Sequence, residues 1–314
     1  MPKIPSIVKE IKSYEPIKVN YAYQKNISYS QYSMWKKCPK QWALQYRDGH
    51  KKYAPSIHTV FGKALHEAFQ HYLTVMYEKS GAAADREDIL EMLKDKLREH
   101  YQDEYKKNNN QHFSDPGELS EFYDDGVQIL NFLKKNRGKY FSKRGWHLAG
   151  IETPIVQHPT ANQNVLFIGY LDIVLYHEPT NTFKIIDIKT STNGWKLDYV
   201  KKDEDKQFQL ILYKKLFAEQ FNVPVDNISI EFFIVRRKVY EGGDYPQKRV
   251  QLYVPPSGKI KRSRATNAIH DFVKDCFKES GYTDKVMLPN PSKWNCTFCA
   301  FKEDKKLCGL GGDF

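Results

Sequence analysis

No apolar run in this chain of 314 residues approaches the ~18 residues that a membrane-spanning helix needs, so no part of it is expected to enter a bilayer. The stretch from Met1 to Ser13 is charged and has no apolar core, so no secretory leader is expected there. Cysteine is scarce. The five present are an odd number, unevenly spread, which argues against a secreted disulfide framework and fits a reducing, cytoplasmic setting. There is no Walker A loop: Gly62-Lys63 is followed by Ala64 and has no upstream glycine partner, so the chain carries no motor of its own. Internal repeats and low-complexity tracts are also missing. Acidic residues are in deficit. Lys and Arg number 49 against 38 Asp and Glu, a net charge of +11, which favours a polyanionic partner such as nucleic acid.

What is present sorts into four stretches. Residues 1–27 read as a loose arm. Residues 28–145 read as helical and carry Cys38 and His66. One helix is expected from Ser28 to Tyr46, one over Val60–Tyr77 on the repeat Phe61, Leu65, Phe69, Leu73, and one over Gly81–Tyr105. A further helix starts at Asp115-Pro116 and runs to about Lys135. Residues 146–285 form a β-rich core, with a helix over Lys206–Phe221 and a last helix over Ile260–Ser280. Residues 286–314 form a cysteine-bearing tail. The order predicts an α/β (α+β) fold, a mixed sheet flanked by helices.

The chemistry concentrates at the centre. Val165 to Tyr176 is a long apolar run containing Gly169-Tyr170-Leu171-Asp172, and Phe183 to Lys189 alternates with β-branched residues and ends Asp187-Ile188-Lys189. His177-Glu178-Pro179-Thr180-Asn181-Thr182 between them is turn chemistry, so the two strands form a hairpin. Asp187 and Lys189 leave the same face, being two apart. An aspartate within an apolar run is costly unless it binds something. Two carboxylates and a cation are what metal-dependent phosphodiester hydrolysis requires: ligands for Mg²⁺ or Mn²⁺, and a positive group near the attacked phosphate. The bland alternatives are a capped strand-end aspartate at Asp172 and a solvated strand face at Asp187 and Lys189.

Other residues join them. His66 lies one helical turn after Gly62; alone it reads as a half-buried helix histidine with a satisfied ring, and as a ligand it would add a nitrogen that favours Mn²⁺ relative to Mg²⁺. Gln209 and Tyr213 share a helix face and can hydrogen-bond a phosphate, a base or the lysine. The ordered set Gly62-x-x-x-His66, Gly169-x-x-Asp172, Asp187-x-Lys189 and Gln209-x-x-x-Tyr213 resembles the motifs of RecB-like exonucleases in the PD-(D/E)XK superfamily, over roughly residues 28–310. The resemblance implies a restriction-endonuclease-like core in residues 146–285, with His66, Asp172, Asp187 and the Ile188 carbonyl around the metal. Lys189, Gln209 and Tyr213 complete the implied catalytic set. Glu152 is similar to an acidic position in that family.

Cys296-Thr297-Phe298-Cys299, with Cys308 beyond and Cys38 far upstream, can wrap a metal or a cluster; spacing leaves structural Zn²⁺ and a [4Fe–4S] cluster both open. The resemblance to AddB and CRISPR-adaptation nucleases implies a [4Fe–4S] cluster on Cys38, Cys296, Cys299 and Cys308, tying the tail back to the Cys38 region. The gap from Cys299 to Cys308 is longer than many members show. Cys276, near Phe272 and Val273, reads as a core residue. Tyr29, Tyr32, Trp35 and Trp42, mixed with Lys36, Lys37 and Lys40, are candidates to stack on single-stranded DNA, with a packed helix and a solvated basic face as an equally good alternative.

The reading is a metal-dependent DNA exonuclease acting on single strands or duplex ends in recombination, repair or replication, with a separate helicase or recombination factor as a candidate partner. A non-catalytic nucleic-acid module and a structure-specific endonuclease of the same superfamily are the alternatives.

Overall fold

Alternating apolar residues and a short turn make the hairpin at the centre of the chain. In the computed structural model, which describes residues 4–309 apart from 21, 22, 51, 53, 143, 241 and 243–246, the strands Val165–His177 and Thr182–Ser191 pair antiparallel, with Ile173 opposite Ile186. A 3-10 turn over Glu178–Thr180 joins them. It is closed by Asn181 at φ 49°, a left-handed conformation that asparagine tolerates.

The chain divides into two compact units that interleave along the sequence. The first comprises Met1–Glu15, Pro55–Thr153 and Tyr170–Pro256; the second comprises Pro16–Ala54, Pro154–Gly169 and Ser257–Phe314.

In the first unit, Thr182–Ser191 runs parallel to Ile228–Arg236, which runs antiparallel to Val250–Tyr253. The result is a central mixed sheet flanked by helices, the α/β architecture expected. The two faces of the sheet differ. Ile186 and Ile188 enter one core with Ile173, Leu175, Phe233 and the helices Ile57–Glu78, Ile89–Lys107 and Pro116–Tyr140. Strand alternation therefore turns Phe183, Ile185, Asp187 and Lys189 to the opposite face. There Phe183 meets Phe217 of the helix Glu204–Gln220, with ring centres 5.4 Å apart. Each fully buried Ile or Phe contributes about 1.5–3 kcal/mol, so the strands that carry the acidic residues are firmly seated.

Local signals explain the helix ends. Asp115 accepts a hydrogen bond from the Glu118 N–H, and Pro116 takes the first helical position, as predicted. At Gly126 a Cβ would come within 2.6 Å of Leu93 Cδ2, so a larger residue there would force the Leu93 side chain to shift. The single helix predicted over Gly81–Tyr105 is two, Gly81–Arg86 and Ile89–Lys107, because Asp88 accepts from the Glu91 N–H and caps a new start. The predicted loose arm contains a helix, Ser6–Lys12, whose Val8 and Ile11 are one turn apart and buried.

In the second unit, Lys25–Ile27 runs parallel to Val165–Phe167. Ser28 caps the helix Tyr29–Lys37 by accepting from the Gln31 N–H. The predicted run to Tyr46 breaks at Cys38, which is extended because Pro39 disfavours helical geometry in the residue before it. A short helix, Pro39–Trp42, and a π-helical turn, Ala43–Arg47, follow. The last helix, Lys259–Cys276, stops short of Ser280 because Phe277–Lys278 pairs with Gly281–Tyr282 in a small hairpin.

Candidate active site

Asp172 lies where the pairing of Val165–His177 with Thr182–Ser191 stops. Just beyond the Ile173–Ile186 pair, the Ile188 N–H donates to Asp172 Oδ2 at 2.6 Å. Asp187 is almost wholly buried, at 3 % exposed, and its Oδ2 lies 2.7 Å from Lys189 Nζ. The Lys189 ammonium donates to this oxygen, so the buried carboxylate is held by one charged partner from its own strand. His66 comes in from the helix Ile57–Glu78, with Nδ1 4.0 Å from Asp172 Oδ2. That helix passes close to the sheet because residue 62 is glycine: a Cβ there would lie 3.2 Å from Thr190 Oγ1. On the opposite face, Gln209 and Tyr213 of the helix Glu204–Gln220 hydrogen-bond to each other, and Tyr213 lies within electrostatic reach of Asp187, Lys189 and Asp172.

One pair of residues escaped the sequence reading as a unit. Gln70, one turn after His66 and buried, donates through Nε2 to Glu152 Oε1 at 2.6 Å and to the Asp172 carbonyl at 3.2 Å. Glu152 sits at φ 47°, unusual for a side chain of that length. A helical glutamine is too common to stand out, but Gly62, His66 and Gln70 fall on one helix face at four-residue spacing, and that spacing was legible.

The electrostatics follow from burial of like charges. The Asp172 carboxyl is pushed well above the usual carboxylate range, first by burial and then by Asp187, with Glu152 adding to it; Lys189 and the Ile188 N–H pull the other way. Asp187 is also raised by burial, against the Lys189 ammonium. Burial works to lower Lys189, but the charges of Asp187 and Asp172 outweigh it and hold the ammonium above its ordinary value. Burial, with Lys189 nearby, takes His66 down to about 4, so its imidazole is neutral at pH 7 and offers a lone pair. Burial pushes the Tyr213 phenol up to about 12.

These residues suit a hard divalent cation. A buried Asp172 carboxyl whose ionisation is opposed by burial and by Asp187, a buried Asp187 and a neutral imidazole all gain from added positive charge. Among the described residues, no three His, Cys, Asp or Glu side chains are already drawn around one point. Magnesium does not require that, since it keeps several waters and uses one or two carboxylates.

The four tail-linked cysteines, Cys38, Cys296, Cys299 and Cys308, lie in the second unit as half-buried free thiols. The Cys299 thiol is pushed up by burial and then by Cys38, Cys308 and Cys296, while a backbone hydrogen bond from Phe301 works against the rise. The Asn290 N–H points to Cys38 Sγ at 3.4 Å, and the side-chain amides of Asn290 and Asn295 both donate to the Lys37 carbonyl at 2.9 Å. Cys276 is buried in the core, where burial raises its thiol.

Of the two readings of the basic-aromatic run, Tyr32 and Trp42 follow the packed helix. Tyr32 and Trp42 are fully buried, with Trp42 edge-on to Phe272 at 5.5 Å, and Trp35 donates to Asp275 Oδ2 at 3.1 Å. Their periodicity is that of a core face, so these rings hold the second unit together.

A sequence profile described as the PD-(D/E)XK nuclease superfamily matches residues 26–303. No curated protein matches the chain.

Proposed function

Because the chain belongs to the PD-(D/E)XK nuclease superfamily, we propose that it is a metal-dependent DNA exonuclease of the RecB-like kind, acting on single strands or duplex ends. The observation that carries this reading is the buried pair Asp172 and Asp187, with Lys189 Nζ 2.7 Å from Asp187 and the Asp172 carboxylate taking the Ile188 N–H. Asp172, Asp187 and the Ile188 carbonyl would hold Mg²⁺ or Mn²⁺, with His66 as a nitrogen donor beside Asp172. When bound, the ion supplies an acidified water and Lewis-acid stabilisation of the phosphate. Lys189 keeps its proton, so its role is to orient the attacking water and to neutralise charge building on the phosphate oxygens. Tyr213 also keeps its proton, and with Gln209 it donates hydrogen bonds that position the strand.

The Gln209-x-x-x-Tyr213 pair supports the exonuclease branch over an endonuclease. The tail cysteines support a [4Fe–4S] cluster on Cys38, Cys296, Cys299 and Cys308, with structural zinc as the alternative; iron and sulfide analysis of anaerobically purified protein separates the two. Lacking a Walker A loop, the chain would rely on a separate helicase or recombination factor to open duplex. No helix among the described residues is long and apolar enough to cross a membrane, and a reducing cytoplasm is the proposed setting. The test is digestion of end-labelled linear DNA beside a covalently closed circle of the same sequence, with Mg²⁺ and Mn²⁺. An exonuclease degrades the linear DNA and spares the circle. Cutting of both at equal rates would make the protein an endonuclease.

A further inference from the structure

With Tyr32 and Trp42 committed to the core, the exposed rings lie elsewhere. Trp294 is 89 % exposed and Phe298 94 %, the highest values among the large apolar residues described. They flank Cys296 in the tail and are four residues apart. The Cys296 N–H donates to the Ser292 carbonyl and the Thr297 N–H to the Lys293 carbonyl, so this segment is one α-helical turn, capped by Ser292 accepting from the Asn295 N–H. Trp294 lies within that turn, and Phe298 lies two residues past its last helical residue.

The turn is braced from beneath. Asn295 donates to the Lys37 and Asn290 carbonyls at 2.9 and 3.0 Å, and Phe301 is buried under the Lys52 ammonium. The turn is thus tied to the Lys37 backbone while both rings stay in solvent. Leaving two large rings in water forgoes the burial that folding usually secures, and such patches mark contact surfaces. The charge around them selects the partner. Lys36, Lys37, Lys293, Lys305 and Lys306 are all exposed, whereas Asp304 is paired with Lys52 at 3.0 Å and Glu303 with Lys302 at 3.5 Å.

We propose that Trp294 and Phe298 form a stacking platform for single-stranded DNA, with the neighbouring lysines neutralising its phosphates. Bases of any sequence present a π-face, and aromatic rings on a basic surface are how sequence-tolerant single-strand binding is built. The inference rests on the reading of the chain as a DNA nuclease and names where in the second unit it grips its strand.

The test is fluorescence anisotropy of a labelled oligothymidylate with Asp187→Ala protein, so that binding is measured without cutting. Trp294→Ala and Phe298→Ala should each weaken binding on the order of tenfold. Trp294→Phe should retain most of the affinity, and all three should melt like their parent because the rings are exposed. Binding of a blunt duplex should change little. Unchanged affinity for oligothymidylate in both alanine variants would overturn the proposal. So would a concentration-dependent dimer that both variants abolish with affinity intact, which would give the rings to a second copy of the chain. Failure of the unsubstituted protein to cut DNA with Mg²⁺ or Mn²⁺ would count against the nuclease reading alone, since the binding comparison does not depend on cleavage.

Discussion

Replacing Asp172 by asparagine should make the protein more stable in the absence of divalent ions and deaf to them. Asp172 stands beside Asp187, which is almost fully buried, and beside Glu152, and both neighbours oppose its charge. Its one backbone bond is accepted from the Ile188 N–H at 2.6 Å. Asparagine keeps a carbonyl oxygen to accept that bond and removes the buried like charge. Relief of strain at a functional site commonly stabilises by about 0.5–2 kcal/mol. For a domain of this size, a shift of roughly 2–4 °C per kcal/mol then predicts a melting temperature higher by about 1–8 °C. The assay is thermal unfolding of both proteins, with and without Mn²⁺. The unsubstituted protein should start lower and rise with Mn²⁺; the variant should start higher and move little. A variant that melts lower without metal would mean that the carboxylate is a structural acceptor and not a strained ligand, and the reasoning would fail.

Lys189→Ala should lower the hydrolysis rate by about 10²–10³, the scale of one lost stabilising donor, while leaving a rise in melting temperature on adding Mn²⁺; loss of that rise would place the lysine in metal binding instead. Gln70→Ala removes the amide that links Glu152 to the Asp172 carbonyl and should cost about 1–3 kcal/mol. It should also raise the Mn²⁺ concentration giving half-maximal rate, and an unchanged metal titration would reduce Gln70 to a packing residue. Trp42→Ala should destabilise the chain by about 3–5 kcal/mol, measured by denaturant unfolding, because the ring is fully buried against Phe272 and Phe277; a loss under 1 kcal/mol, well below that range, would contradict its place in the core.

The centre of the site was legible because it is local. Asp172, Asp187 and Lys189 lie within one hairpin, whose apolar alternation and turn residues fix which side chains share a face. Capping residues were legible for the same reason, as Ser28 and Asp115 show. Asp88, a cap inside an otherwise continuous amphipathic pattern, was not, and two helices were read as one. The basic-aromatic run from Tyr29 to Trp42 has the composition of a binding surface, and only the packing of Phe272 against it shows that it is core. Trp294 and Phe298 invert that case: a C-x-x-C motif draws notice to the sulfurs, and nothing in the pattern says the rings on either side of Cys296 stay in water. The Gln70 link joins residues far apart in the chain, and no local period encodes it.

The most direct test of the central claim is the rate of linear DNA hydrolysis by purified protein and by Asp187→Ala, each with Mg²⁺ and with Mn²⁺. The account predicts cleavage that requires the ion and falls more than ~100-fold in the variant, since even outer partners of a metal commonly carry 10–100-fold. Cleavage by Asp187→Ala at the unsubstituted rate would contradict it.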